Sequence, residues 1–536
     1  MTALRVEEGT VRADPSAGLA VRSIWVPAAI LSLFAVLLRI LVATRREGIE
    51  IDGIAYLASA RAILHDWQAF QVLHPPLYSL ILAPFYGLWS DPEWGARVIS
   101  AVLGGLWVWP TLWLARETTD EDVTWTAGFL IAVMPAAVEA STRILAEATY
   151  GLFLTIFLSV FARTLRTGAL GYVGLAGFVG GATALARPEG MGYLIWAGAL
   201  LLLAPWIIGK PWTKRLALLG LGVLIVTWFT VLAPYMVVVK QQTDHWSWSG
   251  KVGWTLRWAE NVGQERQEEF AGRVMTDTKE EDLQQNLVTY IVSRPREVLS
   301  RIVINLHLID KYTLPKLLHT GGIALVLLGL LFLRFRSGQA PMEWFLAAAP
   351  LPFVGLLLFL VEARYFVAIM PVLCIIAGIG VARAGYCWDM LPSRRLSKTG
   401  MLLLVVAMLS FVPYNLRPWY RQDPSGVEKA AGLWLLRTAG AGAGFIGSYP
   451  RIEYYAKSHG LRFARHSLDD LLAEGKKVGA RFLIVDNAWL PMLRPDLLAL
   501  VREDSGRHSD LEVAHVVEDR GGHRVVIYRI KGGASQ

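Results

Sequence analysis

Apolar and polar positions along this chain segregate into long blocks. Apolar stretches fall at about 24–43, 95–115, 124–138, 148–162, 171–186, 191–208, 214–238, 320–333, 344–361, 365–382 and 399–414. Each is long enough, or nearly so, to cross a hydrocarbon core of about 30 Å as a helix. A further block, 76–90, starts at Pro76 and carries Pro84 inside it. The pattern predicts a polytopic all-α membrane part, with eleven spans if 76–90 lies along the surface and twelve if it crosses.

Charge in the links decides between the two counts. Basic links near Arg163/Arg166, Lys210/Lys214/Arg215, Arg334/Arg336 and Arg394/Arg395/Lys398 are expected on the cytoplasmic side. They share one side only if 76–90 does not cross. The cost is one acidic link, Arg116–Asp122, on that same side. The N-terminal 1–23 is then cytoplasmic, with no cleavable signal pattern, and the first block is a retained span. The opposite face collects 44–94, 139–147, 187–190, 239–319, 362–364 and 415–536. Most short polar signatures of the chain therefore converge there.

Composition agrees with the block pattern. The chain is 54% hydrophobic and 18% charged, against about 25% charge in soluble domains. Its mean hydropathy is +0.42. Twenty-one Trp and 17 Tyr suit rings at two membrane–water interfaces. The net charge of +8 is spread through short links, without zinc-finger spacing or a basic helix, which excludes a nucleic-acid partner. Cys374 and Cys387 are the only cysteines and carry no metal, redox or disulfide pattern.

The tail, 415–536, changes character. Phe445–Gly447, Phe482–Asp486 and Val525–Ile530 read as short strands, and Glu453–Ser458 and Leu468–Glu474 as helices. This predicts a small extracytoplasmic α/β domain with a mostly parallel sheet. The run Gly440–Gly447 (GAGAGFIG) precedes its strand, which excludes a dinucleotide loop.

Candidate chemistry sits in the links. Asp52, in GIEIDGIAYLASA, lies about nine residues past the first span and could act as a general base or hold a divalent cation; a loop acid or helix cap is the alternative. Glu50 competes for that role, Gly53 lets the chain turn, and Tyr56 follows one helical turn later. His74-Pro75-Pro76 is a rigid segment leading into 76–90, and His74 could donate to a phosphate. Arg187, in Ala186–Gly190, needs Glu189 or a lipid phosphate as partner, and snorkelling to ordinary headgroups is the alternative. Arg364 and Tyr365, in EARY, suit a phosphate grip beside an apolar tail or sugar. Glu147 is a possible second acid of the site, though an i,i+4 pair with Arg143 accounts for it equally. The 239–319 segment is long for a link and opens with Trp246, Trp248, Trp254 and Trp258, while Arg296–Lys311 reads as an interfacial helix. His307, Lys311 and His319 are further phosphate candidates there.

These signatures, in this order, resemble the multi-spanning GT-C glycosyltransferases. The likeness covers roughly 24–414: the first-loop Asp52, HPPLYSLILAPFYGLW, EWGARVISAVLGG, STRILAEATY, LARPEG and EARYFVAIMP. It points to the branch of protein O-mannosyltransferases and lipid A aminoarabinose transferases. The resemblance implies a hexosyl- or pentosyltransferase that moves a sugar from a polyprenyl phosphate to a glycan, lipid or protein acceptor outside the cytoplasm. It implies Asp52 as catalytic, with Arg187 and Arg364 near the lipid phosphate and Glu147 at a position often aspartate. No organic cofactor is expected, and a divalent cation is admitted, with Asp52 as its only named ligand. A bacterial inner (plasma) membrane location with a periplasmic tail follows. Asp52-Gly53 replaces the Asp-Glu pair of protein O-mannosyltransferases, and Leu73-His74 stands where lipid A relatives can carry Glu-Lys, so the acceptor stays open. The alternative is a transporter or flippase of a lipid-linked sugar, although no paired inverted repeat is visible. A structural scaffold is the third reading.

Overall fold

The computed structural model describes residues 17–532 apart from 67–69, 252–290, 335–337, 360, 390–397, 422, 448, 464–466 and 503–507. No side chain of 17–24, 385–389 or 492–493 is described. Trp254, Trp258, Arg336, Arg394, Arg395 and most of 1–23 therefore lie outside the described residues, as does the side chain of Cys387.

The membrane part is a helical bundle. Its first eleven helices are α1 Ala17–Ala43, α2 Ile51–His65, α3 Leu77–Leu82, α4 Pro92–Gly105, α5 Val108–Thr118, α6 Glu121–Val133, α7 Pro135–Ala140, α8 Glu147–Thr167, α9 Leu170–Ala186, α10 Met191–Ile207 and α11 Lys214–Thr243. There follow α12 Pro295–Leu308, α13 Leu314–Leu331, α14 Met370–Asp389 and α15 Lys398–Asn415. Among the described residues, nine helical stretches are long and apolar enough to cross a membrane. Of the other expected spans, α9 is apolar but short, and 124–138 is split into α6 and α7. The block 76–90 forms only α3 and a 3-10 turn, Ala83–Phe85, too short to cross.

The break between α6 and α7 has a clear cause. Pro135 offers no N–H to the carbonyl of Ile131. Arg39, fully buried in α1, supplies the missing donors: Nη2 reaches Ile131 O at 3.1 Å and Nη1 reaches Ala132 O at 2.9 Å. Several hydroxyls elsewhere in the bundle bond within their own helices, as Thr155, Ser159 and Thr164 of α8 bond carbonyls one turn back.

The tail carries α16 Ser425–Ala439, α17 Pro450–Ala456 and α18 Leu468–Lys477, around strands β1 Phe445–Ile446, β2 Gly460–Leu461, β3 Phe482–Asp486, β4 Leu511–Glu518 and β5 Arg524–Ile530. The strand order is β2-β1-β3-β5-β4. The expected mostly parallel sheet is corrected here. Only the two-residue pairings β1–β2 and β1–β3 are parallel, while β3–β5 and β4–β5 are antiparallel and longer. The unforeseen β4 reaches β5 through a short turn at Asp519–His523, and a connection that short can only make an antiparallel pair.

The tail docks onto the end of the bundle that bears α2. A small apolar cluster there joins Ile49, Tyr56, Leu57, Tyr78, Ala96 and Ile144 to Tyr455 of α17.

Candidate active site

Five separate segments meet beside the start of α2. Asp52 lies in the first turn of that helix, where the helix dipole favours a negative charge. Gly53 follows it inside the helix, not at the turn the sequence suggested. A Cβ there would stand 2.9 Å from Ile144 O, so glycine is what lets the loop before α8 close on α2. The chain beyond α11 approaches in the same manner, because a Cβ on Gly250 would meet Val72 O at 2.6 Å. That contact brings Lys251 to the His74 loop.

Asp52 Oδ2 accepts from Arg364 Nη1 at 3.1 Å, and its Oδ1 lies 3.8 Å from His74 Nε2. Arg364 also donates through Nε to Glu362 at 2.7 Å and through Nη2 to the Tyr365 hydroxyl at 3.3 Å. Arg187 is held more completely. It bonds Glu147 Oε1 at 2.8 Å and both oxygens of Glu189, at 2.9 and 3.3 Å. The Tyr365 ring joins the two arginines, with the guanidinium carbons of Arg187 and Arg364 at 4.7 and 5.1 Å from its centre. Tyr56 packs edge-on against His74, ring centres 4.9 Å apart.

The charges set the protonation states. Burial alone would raise the pKa of Asp52, but His74, Lys251 and Arg364 outweigh it and hold the carboxyl well below the usual range. Burial pushes His74 down, aided by Lys251 and opposed by Asp52, so its ring is neutral at pH 7. Burial also lowers Lys251, with Asp52 opposing.

The structure thus gathers Asp52, Tyr56, His74, Glu147, Arg187, Glu189, Arg364 and Tyr365 into one cluster. Three candidates take other positions. Glu50 turns to the protein, its Oε2 accepting from Ile144 N at 3.0 Å. Lys311 is exposed in a π-helical turn, its ammonium over the ring of Tyr312. His319 stacks on Tyr414. The pairing of Arg143 with Glu147 is also corrected: Arg143 pairs with Glu139, leaving Glu147 to Arg187. Sequence reasoning missed Lys251, whose one visible signal is its place just after the Trp246–Gly250 run.

A divalent cation does not fit this donor set. Arg187, Arg364 and Lys251 surround the carboxylates, and among the described residues no group of three or more His, Cys, Asp or Glu side chains is placed to hold a metal.

Known proteins place this geometry in a context. The chain superposes on the apo oligosaccharyltransferase of Archaeoglobus fulgidus with TM-score 0.57 and 17% identity, covering 88% of this chain and 70% of that one. It superposes on ArnT from Cupriavidus metallidurans bound to undecaprenyl phosphate with TM-score 0.56 and 13% identity, over 98% of this chain and 100% of that one. The chain shares the fold of these two proteins, a polytopic, mostly helical bundle with a soluble C-terminal domain. The same archaeal oligosaccharyltransferase in complex with Zn and sulfate matches with TM-score 0.56 and 15% identity, over 93% and 72% of the two chains. Residues 73–235 of the bundle match the family model described as dolichyl-phosphate-mannose-protein mannosyltransferase. That segment includes His74, Glu147, Arg187 and Glu189, while Asp52, Lys251 and Arg364 lie outside it. No curated protein matches the sequence.

Proposed function

We propose that this membrane protein is a glycosyltransferase that moves a sugar from a polyprenyl phosphate to an acceptor outside the cytoplasm. The observation that carries the reading is Asp52, a carboxylate held ionised by His74, Lys251 and Arg364 in a cluster still partly open. The side chains of Asp52 and Arg364 keep 30% and 33% of their surface exposed. Lipid-phosphate ligands in ArnT and in the family description of 73–235 support the donor class.

The chemistry follows from the contacts. The acceptor hydroxyl oxygen attacks the anomeric carbon, and the bond from that carbon to the phosphate oxygen breaks. The polyprenyl phosphate leaves with the electron pair, and Asp52 takes the hydroxyl proton. One displacement inverts the anomeric centre. Arg364 uses three of its five N–H groups on protein partners, so two remain for the phosphate. A phosphate there competes with Asp52 for the guanidinium and frees the carboxylate to act as base. Lys251 adds a second charge for the leaving oxygen. Arg187, enclosed by Glu147 and Glu189, holds Tyr365 and the cluster in register. No step is routed through a metal.

The placement of the tail and of the Asp52 end outside the cytoplasm, in a bacterial inner membrane, belongs to the same proposal. It is supported by the basic links at the other end of the bundle. Deleting the gene and profiling donor lipids, envelope glycans and glycoproteins by mass spectrometry tests the reading. A polyprenyl-phosphate sugar should accumulate while one glycan loses that sugar, and Asp52→Asn should reproduce both changes. A normal glycan profile in the Asp52→Asn strain would favour the transporter reading.

A further inference from the structure

The motif EWGAR, at the start of α4, takes no direct part in the site. Its Glu93 and Arg97 are nevertheless almost completely buried. They form the floor of an interface with the tail, directly before Asp52.

The backbone of Gly48 and Ile49 is fully engaged there. Gly48 N donates to Ser425 Oγ at 3.1 Å, and Gly48 O accepts from Arg97 Nη2 at 2.5 Å. Ile49 N donates to the Tyr455 hydroxyl at 2.8 Å, and Ile49 O accepts from Arg451 Nε at 2.6 Å. Three of these four partners come from the tail. They are anchored in turn: the Tyr455 hydroxyl donates to Glu93 Oε2 at 2.8 Å, and Lys429 reaches the same oxygen at 3.2 Å. Arg451 pairs with Glu428, whose other oxygen accepts from Trp489 Nε1 at 3.0 Å.

The helix that follows cannot fix its own start. Glu50, at the N-cap of α2, makes no capping bond with its side chain. Isolated helices of about 15 residues are marginal in water, and α2 has 15. The tail's side chains supply what the cap does not, at Gly48 and Ile49, four and three residues before the proposed catalytic carboxylate.

We propose that Tyr455, Arg451 and Ser425 of the C-terminal domain are positioning residues for Asp52, acting by clamping the Gly48–Ile49 backbone from which α2 starts. The inference rests on the proposed role of Asp52 and goes beyond it. The tail becomes part of the machinery that sets the base, although it does not touch the reacting atoms. Its removal would then impair transfer even with the phosphate-binding cations intact.

The test uses full-length protein in nanodiscs, with Tyr455→Phe as the main variant and Ser425→Ala as a milder second. Phenylalanine keeps the ring and removes only the hydroxyl that joins Ile49 N to Glu93. Hydrogen–deuterium exchange over 46–57 should rise about tenfold or more in Tyr455→Phe and less in Ser425→Ala. Exchange in β3 and β5 should stay at the wild-type rate, which shows the tail folded. Binding of undecaprenyl phosphate should hold within about twofold, while the glycan profile of cells carrying Tyr455→Phe should shift toward that of Asp52→Asn. Unchanged exchange over 46–57 in both variants overturns the clamp. Faster exchange with a wild-type glycan profile overturns its positioning role. A gene deletion without any glycan phenotype would strike the proposed function instead, and the exchange data would still decide the clamp.

Discussion

Helix α8 begins in one charged cluster and ends in another, about 30 Å away at 1.5 Å per residue. At its far end Arg163 and Arg166 meet Glu117 at 3.2 and 3.1 Å. Nearby, fully buried Glu343 pairs with Arg383 and accepts from Arg334 N, while Asp120 takes Arg334 at 2.7 Å. Glu117 and Asp120, two of the four acidic residues in the link Arg116–Asp122, are thus matched by basic ones, which lowers the cost of placing that link on the basic side. At its near end Glu147 opens onto Arg187 and the Asp52 cluster. There the central pair, Asp52 and Arg364, stays about one-third exposed. Both clusters tie helices together, but the Glu343–Arg383 pair is closed, its side chains 0% and 11% exposed, while the Asp52–Arg364 pair keeps N–H groups and surface in reserve. The closed cluster is what an ion-pair joint needs, and the open one is what an anionic ligand needs.

The sharpest way to break this comparison is to remove one charge from each end. Asp52→Asn preserves shape and removes the proton acceptor. Transfer should fall by about 10²–10⁴-fold, the usual range for a general base, with the melting temperature and undecaprenyl phosphate binding retained. Glycan profiling and a detergent melt read the two quantities. If Glu50→Gln abolishes transfer while Asp52→Asn leaves it intact, the wrong carboxylate carries the role.

At the closed end the prediction reverses. Glu343→Gln leaves the Arg383 guanidinium without its buried carboxylate, a loss of about 3–5 kcal/mol for pairs of this kind. The protein should melt earlier, and its activity per folded molecule should be unchanged. A variant with normal stability and lost transfer would mean that this end also handles a ligand.

Much of both ends was legible in the sequence, for different reasons. Apolar blocks are set by the bilayer and survive any arrangement of the bundle, so their places could be read directly. Asp52, Arg187 and Arg364 stood out because a charge beside an apolar block needs a partner. Which partner it takes was not legible. Arg143 had Glu139 and Glu147 both four residues away, and only the approach of α9 decides that Glu147 goes to Arg187. Lys251 was hidden because its role depends on the close contact of Gly250 with Val72, a pairing of residues far apart in the chain. The sheet of the tail was misread because its longest pairings involve β4, whose alternation is weak.

Lys251 and Lys311 sharpen the comparison within the open end. Lys251→Gln should weaken undecaprenyl phosphate binding about tenfold, equivalent to about 1.4 kcal/mol. Lys311→Gln should change it by less than about twofold, because that ammonium is exposed beside Tyr312. Titration of the labelled lipid into nanodiscs distinguishes them, and equal losses would extend the phosphate site along the π-helical turn. Arg364→Ala should cost more than Arg364→Lys, since lysine keeps the charge and loses only the planar fork.

The smallest effect is a displacement of pH profiles, and it tests how the open end works. In the free protein Asp52 lies well below the ordinary carboxylate range. A group with a depressed pKa stays ionised as pH falls, and it loses function only when pH passes below its own folded value. The acid limb of kcat/KM, which reports the free protein, should therefore be absent down to about pH 4, near the unperturbed value for aspartate. Binding of the donor draws Arg364 toward the phosphate and weakens its hold on Asp52, so the carboxyl moves back up. The acid limb of kcat should then appear at a higher pH than that of kcat/KM. His74, pushed down by burial, is neutral through pH 7 and should contribute no limb there. A limb between about pH 6 and 7 that vanishes in His74→Gln would place the proton on the imidazole instead, since that is where an ordinary histidine titrates. Coincident limbs for kcat and kcat/KM would show that Arg364 keeps Asp52 throughout the reaction, and the exchange of partners would have to be abandoned.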